Sequence, residues 1–271
     1  MPDMIPRPAF LPRPPLVAVL PLSGVIAAAV RPGAGGMLND QGLAPMVERA
    51  FTRGKPAAVA LAINSPGGSP AQSSLIGARI RRLAEEKSLP VFAFVEDVAA
   101  SGGYWLATAA DEIFVDPTSI VGSIGVISAG FGFHELIGRW GIERRLYTAG
   151  EDKSLLDPFR PERAEDVARL KRIQGELHRV FIDQVQARRG ARLRGADLFT
   201  GDVWIGREAV ENGLADAVGH LVPEMKARFG DKTRFAVYGR RRGWLPRLRL
   251  GGLSEGLGAI EARAAWARYG V

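Results

Sequence analysis

The chain has 271 residues, 46% of them hydrophobic and 24% charged, a net charge of +7 and no cysteine. That balance belongs to a globular protein with a sizeable core. It excludes disulfides, thiolate catalysis and cysteine-ligated zinc, and the widely separated His134, His178 and His220 have no metal-ligand spacing, so neither metal nor cofactor is expected.

Residues 14–30, PPLVAVLPLSGVIAAAV, carry no charge after Arg7 and Arg13, a profile shared by signal peptides and short membrane anchors. Pro21, Ser23 and Gly24 interrupt the run, whereas a spanning helix needs about 20 mostly apolar residues. The sequence therefore predicts a leader over 1–14, a buried strand LVAVLPL turning at Ser23 and Gly24, and no transmembrane helix. A polar helix follows over 43–52. The short apolar run AAVALAIN (57–64) predicts a second strand, which ends in a glycine turn, SPGGS; SSLIGARIRRLAEE then has helical periodicity. LPVFAFVED repeats the pattern, running into a helix over 102–110, and DEIFVDP, IGVI and RRLYTAG read as further strands. Continuous apolar strands alternating with helices predict an α/β fold with a parallel sheet.

Beyond residue 150 the character changes. Residues 161–190 form a long amphipathic helix whose stripe, Ile173, Leu177, Val180, Phe181 and Val185, suits a core or a subunit interface. The core domain is expected over 15–237, with a basic tail over 238–271. In that tail GRRRGWLPRLRL carries five arginines and no acid. Trp244, Leu245, Leu248 and Leu250 lie among the arginines, and Leu253, Leu257, Ile260 and Ala264 follow at helical spacing. This suits an anionic membrane surface, or equally an oligomer contact or a solvated end. Aromatic and basic residues are not interleaved within the core, so no nucleic acid partner is expected.

The stretch VAASGGYWLATAADEI (98–113) carries the chemistry. A serine before a helix is ordinarily an N-cap. Here Ala99, Ala100, Gly102 and Gly103 clear space around Ser101, so that a substrate backbone could approach its hydroxyl, and a helix N-terminus offers N–H groups where an oxyanion would form. The SPGG turn also sits at the end of a predicted strand, where open α/β sheets bind ligands. It is either a plain turn or, through Gly67 or Gly68 together with Gly102, a two-donor oxyanion hole.

A serine nucleophile needs a base. A histidine could arrive by folding, and a lysine serves if its pKa falls from about 10.4 to about 7 to 8; arginine does not lose its proton. Of the 36 basic residues only Lys55, Lys87, Lys153, Lys171, Lys226 and Lys232 are lysines. Lys153, in TAGEDKSLLDPF, is the best placed, in a polar turn among small residues. The plain reading is a surface lysine paired with Glu151 or Asp152; for the catalytic one, those carboxylates should point away.

Together LAINSPGGS, VEDVAASGGYWLATAADEIFVDPTSIVGSIGVI, TAGEDKSLLDPFRPE and FTGDVWIGREAVENGLADAVG resemble the signal peptide peptidase family, the SppA-type or protease IV-like serine peptidases. The resemblance implies the Clp protease/crotonase-like fold of repeated ββα units with a parallel sheet and outer helices. It implies Ser101 as nucleophile, Lys153 as general base, Ser123 as the helper serine that holds the lysine amine, and Gly68, Gly67 and Gly102 as oxyanion donors. Val121 stands where the family's motif has threonine. The implied reaction is hydrolysis of apolar peptides such as remnant signal peptides through an acyl-enzyme. The implied assembly is a homo-oligomeric ring with the dyad shared between subunits, and the implied location is cytoplasmic or peripheral at the inner face of the membrane. Three alternatives stand beside this reading: a Clp-like peptidase with a histidine base, a crotonase-type acyl-CoA enzyme, and a catalytically silent membrane-associated scaffold.

Overall fold

A computed structural model describes residues 14–28, 37–150, 153–239, 263 and 265–270. The chain opens with β1 (Leu16–Ser23), the short strands β2 (Val25–Ile26) and β3 (Met37–Leu38), α1 (Asp40–Thr52), β4 (Ala58–Ser65), α2 (Pro70–Lys87), β5 (Val91–Ala100) and α3 (Gly102–Ala107). It continues through β6 (Glu112–Val115), β7 (Ile120–Gly122), α4 (His134–Arg139), α5 (Ala164–Arg189), β8 (Val203–Ile205), α6 (Gly206–Glu211), β9 (Ala217–Val218), α7 (Leu221–Phe229) and β10 (Arg234–Val237).

Six strands form the central layer in the order β10-β1-β4-β5-β6-β9, every pair parallel. Successive side chains of a strand point to opposite faces, so a strand covered on both sides must be apolar at every position. β1 shows this directly. Ala18, Leu20 and Leu22 join the core beneath α1 and α2, while Val17 and Val19 join Phe92, Phe94, Phe114 and Met225 on the face covered by α7. Each large side chain so buried contributes about 1.5–3 kcal/mol. The α1 and α2 helices each start three residues before the expected 43 and 73, at capping residues. Asn39 accepts the Gly42 N–H, Ser69 accepts that of Gln72, and Pro70 fills the first turn of α2. The fold is thus α/β of the Clp protease/crotonase type, as the sequence resemblance implied.

The feature that builds the site is a bend in β5. Its pairing with β4 jumps from Ile63–Val95 to Ser65–Ala99, so Glu96 and Asp97 bulge out. Asn64 spans the bulge, donating to Asp97 and accepting the Val98 N–H. Beyond the bulge β5 leaves β6 and pairs with β7, which in turn runs antiparallel to β8.

Around the site, three further expectations are corrected. IGVI (124–127) is not a strand; pairing ends at Gly122, because Gly122 and Ser123 both turn with positive φ, 104° and 50°. RRLYTAG is irregular, having no neighbouring strand to pair with, and α3 stops at Ala107, short of residue 110. There Arg188 of α5 donates to the Thr108 and Ala110 carbonyls that the ending helix leaves open.

The second half of α5 docks firmly: Phe181 lies 5.2 Å from the Trp105 ring, and buried Arg189 pairs with Asp216 and donates to the Gly213 carbonyl. Its first half does not. Of the expected stripe, Phe181 and Val185 are buried while Leu177 and Val180 are exposed. Among the described residues the preceding segment, 127–162, contributes nothing to either core and leaves Ile127, Phe131, Trp140, Ile142 and Tyr147 exposed. No helix among the described residues is long and apolar enough to cross a membrane. Residues 1–13 of the expected leader, the five arginines of GRRRGWLPRLRL and the apolar repeat of Leu253, Leu257, Ile260 and Ala264 fall outside the described residues, as do Glu151 and Asp152.

Candidate functional site

Ser101 is the single residue between the end of β5 and the start of α3, with φ 51° and ψ −120°. A non-glycine residue held there is strained by about 1–3 kcal/mol, in the manner of a nucleophile elbow that lifts a serine hydroxyl off a strand-to-helix turn. Two backbone bonds hold the elbow: the Ser101 N–H donates to the Gly122 carbonyl at 2.8 Å, and the Trp105 N–H donates to the Ser101 carbonyl at 3.0 Å. The hydroxyl does not cap the helix, so the ordinary explanation for a serine at this position does not apply. At six residues, α3 is too short for a macrodipole argument. What it offers is the Gly102 N–H, which takes no partner among the described residues.

The glycines around the elbow are required by close approach. A Cβ on Gly67 would lie 2.8 Å from the Gly102 nitrogen and from Ser101 Cβ; one on Gly102 would meet Ser73 Oγ and lie 3.4 Å from the Gly68 nitrogen. The SPGG turn therefore packs directly on Ser101. Within it the two glycines differ. Gly67 is buried, and its N–H donates to Ser65 Oγ at 3.2 Å. Gly68 is exposed, and its N–H has no partner among the described residues. Of the donors considered from sequence, the Gly67 N–H is engaged by Ser65 Oγ, whereas those of Gly68 and Gly102 have no partner among the described residues.

Ser123 lies just past the end of β7, beside the strand end that receives the Ser101 N–H. Its own N–H donates to the Asp202 carbonyl at 2.6 Å, and its hydroxyl accepts from the Tyr269 hydroxyl at 3.3 Å. Sequence reasoning missed Tyr269, since nothing in its spacing connects a residue near the chain's end to Ser123. Lys153 sits in an exposed turn and makes no hydrogen bond to Ser101 or Ser123. The structure thus brings Ser101, Gly68 and Gly102 together and places Ser123 beside them, while Lys153 makes no hydrogen bond to any of them.

None of the histidines reaches Ser101. His178 contacts the Ile124 carbonyl at 2.9 Å, tying α5 to the loop after Ser123; His220 pairs with Asp116; and His134 edges a cavity of about 590 Å³ between residues 128–134 and the start of α5. That cavity contains neither Ser101 nor either uncommitted glycine. It belongs to the loosely packed segment rather than to the elbow.

The fold is a mostly parallel α/β sheet flanked by helices, with an uncapped serine at a strand end packed against a glycine turn, and the Gly68 and Gly102 N–H groups beside it have no partner among the described residues. Comparison narrows this. Residues 83–227, more than half of the chain, match the model of peptidase family S49, and the chain belongs to that family. It is 36% identical over 169 residues to the chloroplastic serine protease SPPA of Arabidopsis thaliana, covering 60% of this chain and 24% of that one. It is 48% identical over 246 residues to a Brucella melitensis protein named Na(+)/H(+) antiporter NhaA, covering 84% of this chain but only 33% of the relative. The chain therefore spans about a third of that protein or less, and a name given to the whole does not say what this third does. Among solved structures, a lysine-to-alanine mutant of the 1510-N membrane-bound stomatin-specific protease, in complex with a substrate peptide, superposes with a TM-score of 0.52 at 13% identity, covering 92% of this chain and 99% of that one. At that identity the likeness supports the fold alone.

Proposed function

We propose that the protein is a serine endopeptidase in which Ser101 attacks a peptide carbonyl and Lys153 acts as the general base. The observation that carries this reading is the Ser101 elbow, strained and uncapped, against the uncommitted N–H groups of Gly68 and Gly102. Ser101 Oγ adds to the carbonyl carbon while its proton passes to the neutral Lys153 amine, and the oxyanion is held by Gly68 and Gly102. The ammonium returns the proton to the leaving nitrogen, giving an acyl-enzyme and a free amine. Water, deprotonated by the same lysine, attacks the acyl carbon, and the ammonium returns the proton to Ser101 Oγ as the acid leaves. Ser123 would hold the amine in line. The small residues about Ser101 suit extended apolar peptides such as remnant signal peptides.

The dyad is completed between subunits of a homo-oligomeric ring. Lys153 is solvent-exposed in the single chain, so the desolvation that a lysine base needs must come from outside it. The exposed apolar side chains of 127–162, with Leu177 and Val180 of α5, provide a surface for a second copy. Membrane contact through the tail remains part of the proposal.

Mixing tests both parts. Wild type should hydrolyse a short apolar fluorogenic peptide at a rate that rises with pH as the amine loses its proton, and a fluorophosphonate should label Ser101. Ser101→Ala and Lys153→Ala should each be inactive, and their mixture should recover activity after verified subunit exchange. No recovery after exchange argues for a dyad within one chain; full turnover by Lys153→Ala removes lysine from the mechanism.

A further inference from the structure

The last residue of β4, Ser65, is fully buried, and neither the strand nor the core needs a hydroxyl there. Its Oγ donates to the Gly24 carbonyl at 2.7 Å and accepts the Gly67 N–H at 3.2 Å. It is therefore a bolt between two turns that leave neighbouring strands side by side, the one after β1 and the SPGG turn after β4.

The rest of the turn is fixed from β2. The Ile26 N–H donates to the Gly67 carbonyl and the Ser69 N–H donates to the Ile26 carbonyl, both at 2.8 Å. Gly68 is thus clamped on either side, with the Ile26 carbonyl filling the space a Cβ would take. The Gly67 N–H, the Gly67 carbonyl and the Ser69 N–H are all engaged in this way, while the Gly68 N–H has no partner among the described residues. With φ of 96° and 141°, Gly67 and Gly68 both occupy backbone regions open to glycine, so the turn has other accessible conformations and the clamps select one.

We infer that Ser65 is a positioning residue for the oxyanion donor: by holding the Gly67 N–H and the Gly24 carbonyl together, its hydroxyl fixes the turn in the one arrangement that presents the Gly68 N–H beside Ser101. This rests on the proposed acyl-transfer reading, and it adds that of the two glycines in the SPGG turn Gly68 is the one that donates beside Gly102, and that its aim depends on a buried side chain which touches no substrate. An oxyanion donor acts on the transition state far more than on the bound ground state. Loosening it should accordingly lower kcat and leave KM nearly unchanged.

The test uses the full-length protein. In wild type, amide hydrogen exchange should be slow at Gly67 and fast at Gly68; the reverse order overturns the inference without any variant having to fold. Ser65→Ala should accelerate exchange at Gly67. It should also lower kcat about 10-fold or more with KM within about 2-fold, and weaken a peptide-aldehyde inhibitor in parallel with kcat. Ser65→Thr, which keeps the hydroxyl, should restore part of the loss. Unchanged kcat and inhibitor affinity in a folded Ser65→Ala protein, or a loss wholly in KM, overturns the role. If wild type neither turns over peptide nor forms an adduct at Ser101, it is the peptidase reading that fails, and the exchange pattern still decides whether Ser65 sets the turn.

Discussion

The two halves of the proposed machinery sit in opposite physical settings. Ser101, Gly68 and Gly102 stand on a parallel sheet buried on both faces, where each turn is fixed by backbone bonds and close glycine contacts. Lys153 stands on a segment that buries none of its large apolar side chains fully and leaves Trp140 and Tyr147 77% and 90% exposed. A site that needs preorganised donors belongs on the first kind of scaffold. A base that works only when shielded from water can be carried by the second kind, provided another surface covers it. On this view, the nucleophile is ready in each subunit and the base becomes competent on assembly.

The largest test of that contrast is chemical: Ser101→Ala and Lys153→Ala should each cost about 10⁴-fold or more in turnover, with thermal unfolding of the isolated chain unchanged for Lys153→Ala. Next comes packing. Phe51→Ala, in the core under α1, should lower unfolding free energy by about 3–5 kcal/mol in urea titrations. Trp140→Ala should stay within about 0.5 kcal/mol yet weaken self-association in sedimentation experiments. A large stability loss from Trp140→Ala would mean that the segment is part of the platform after all.

A smaller effect lies at the platform's edge. The His220 ring, followed by the Thr118 hydroxyl and N–H, lowers the Asp116 carboxyl to about 2. A depressed carboxyl stabilises the fold above its unfolded value near 3.8, and the contribution disappears as pH falls through about 2. Asp116→Asn should therefore flatten the acid-unfolding profile between those values and leave the stability of the 127–162 segment alone. The smallest expected change is in Tyr269→Phe. That hydroxyl occupies Ser123 Oγ, the group proposed to hold the lysine amine, so its removal should raise kcat/KM for a short peptide by a few-fold at most. A fall would make Tyr269 a support for Ser123 instead of a competitor.

Much of the platform was legible in the chain. The apolar runs LVAVLPL and AAVALAIN pointed to strands covered on both faces, and small residues around Ser101 announced a close approach. The misplaced strand at IGVI shows the limit. An apolar run does not reveal where pairing stops, and here it stops because Gly122 and Ser123 turn away toward Asp202, a partner distant in sequence.

By itself the sequence determined the fold class, the serine elbow and the short list of bases, because burial periodicity and side-chain chemistry are local properties. Only the tertiary structure decided which glycine of SPGG keeps its N–H free, that Tyr269 meets Ser123, and that Lys153 has no partner in the site within one chain. Each of those depends on which hydrogen-bonding groups distant segments bring together, and a linear pattern holds no record of such pairings.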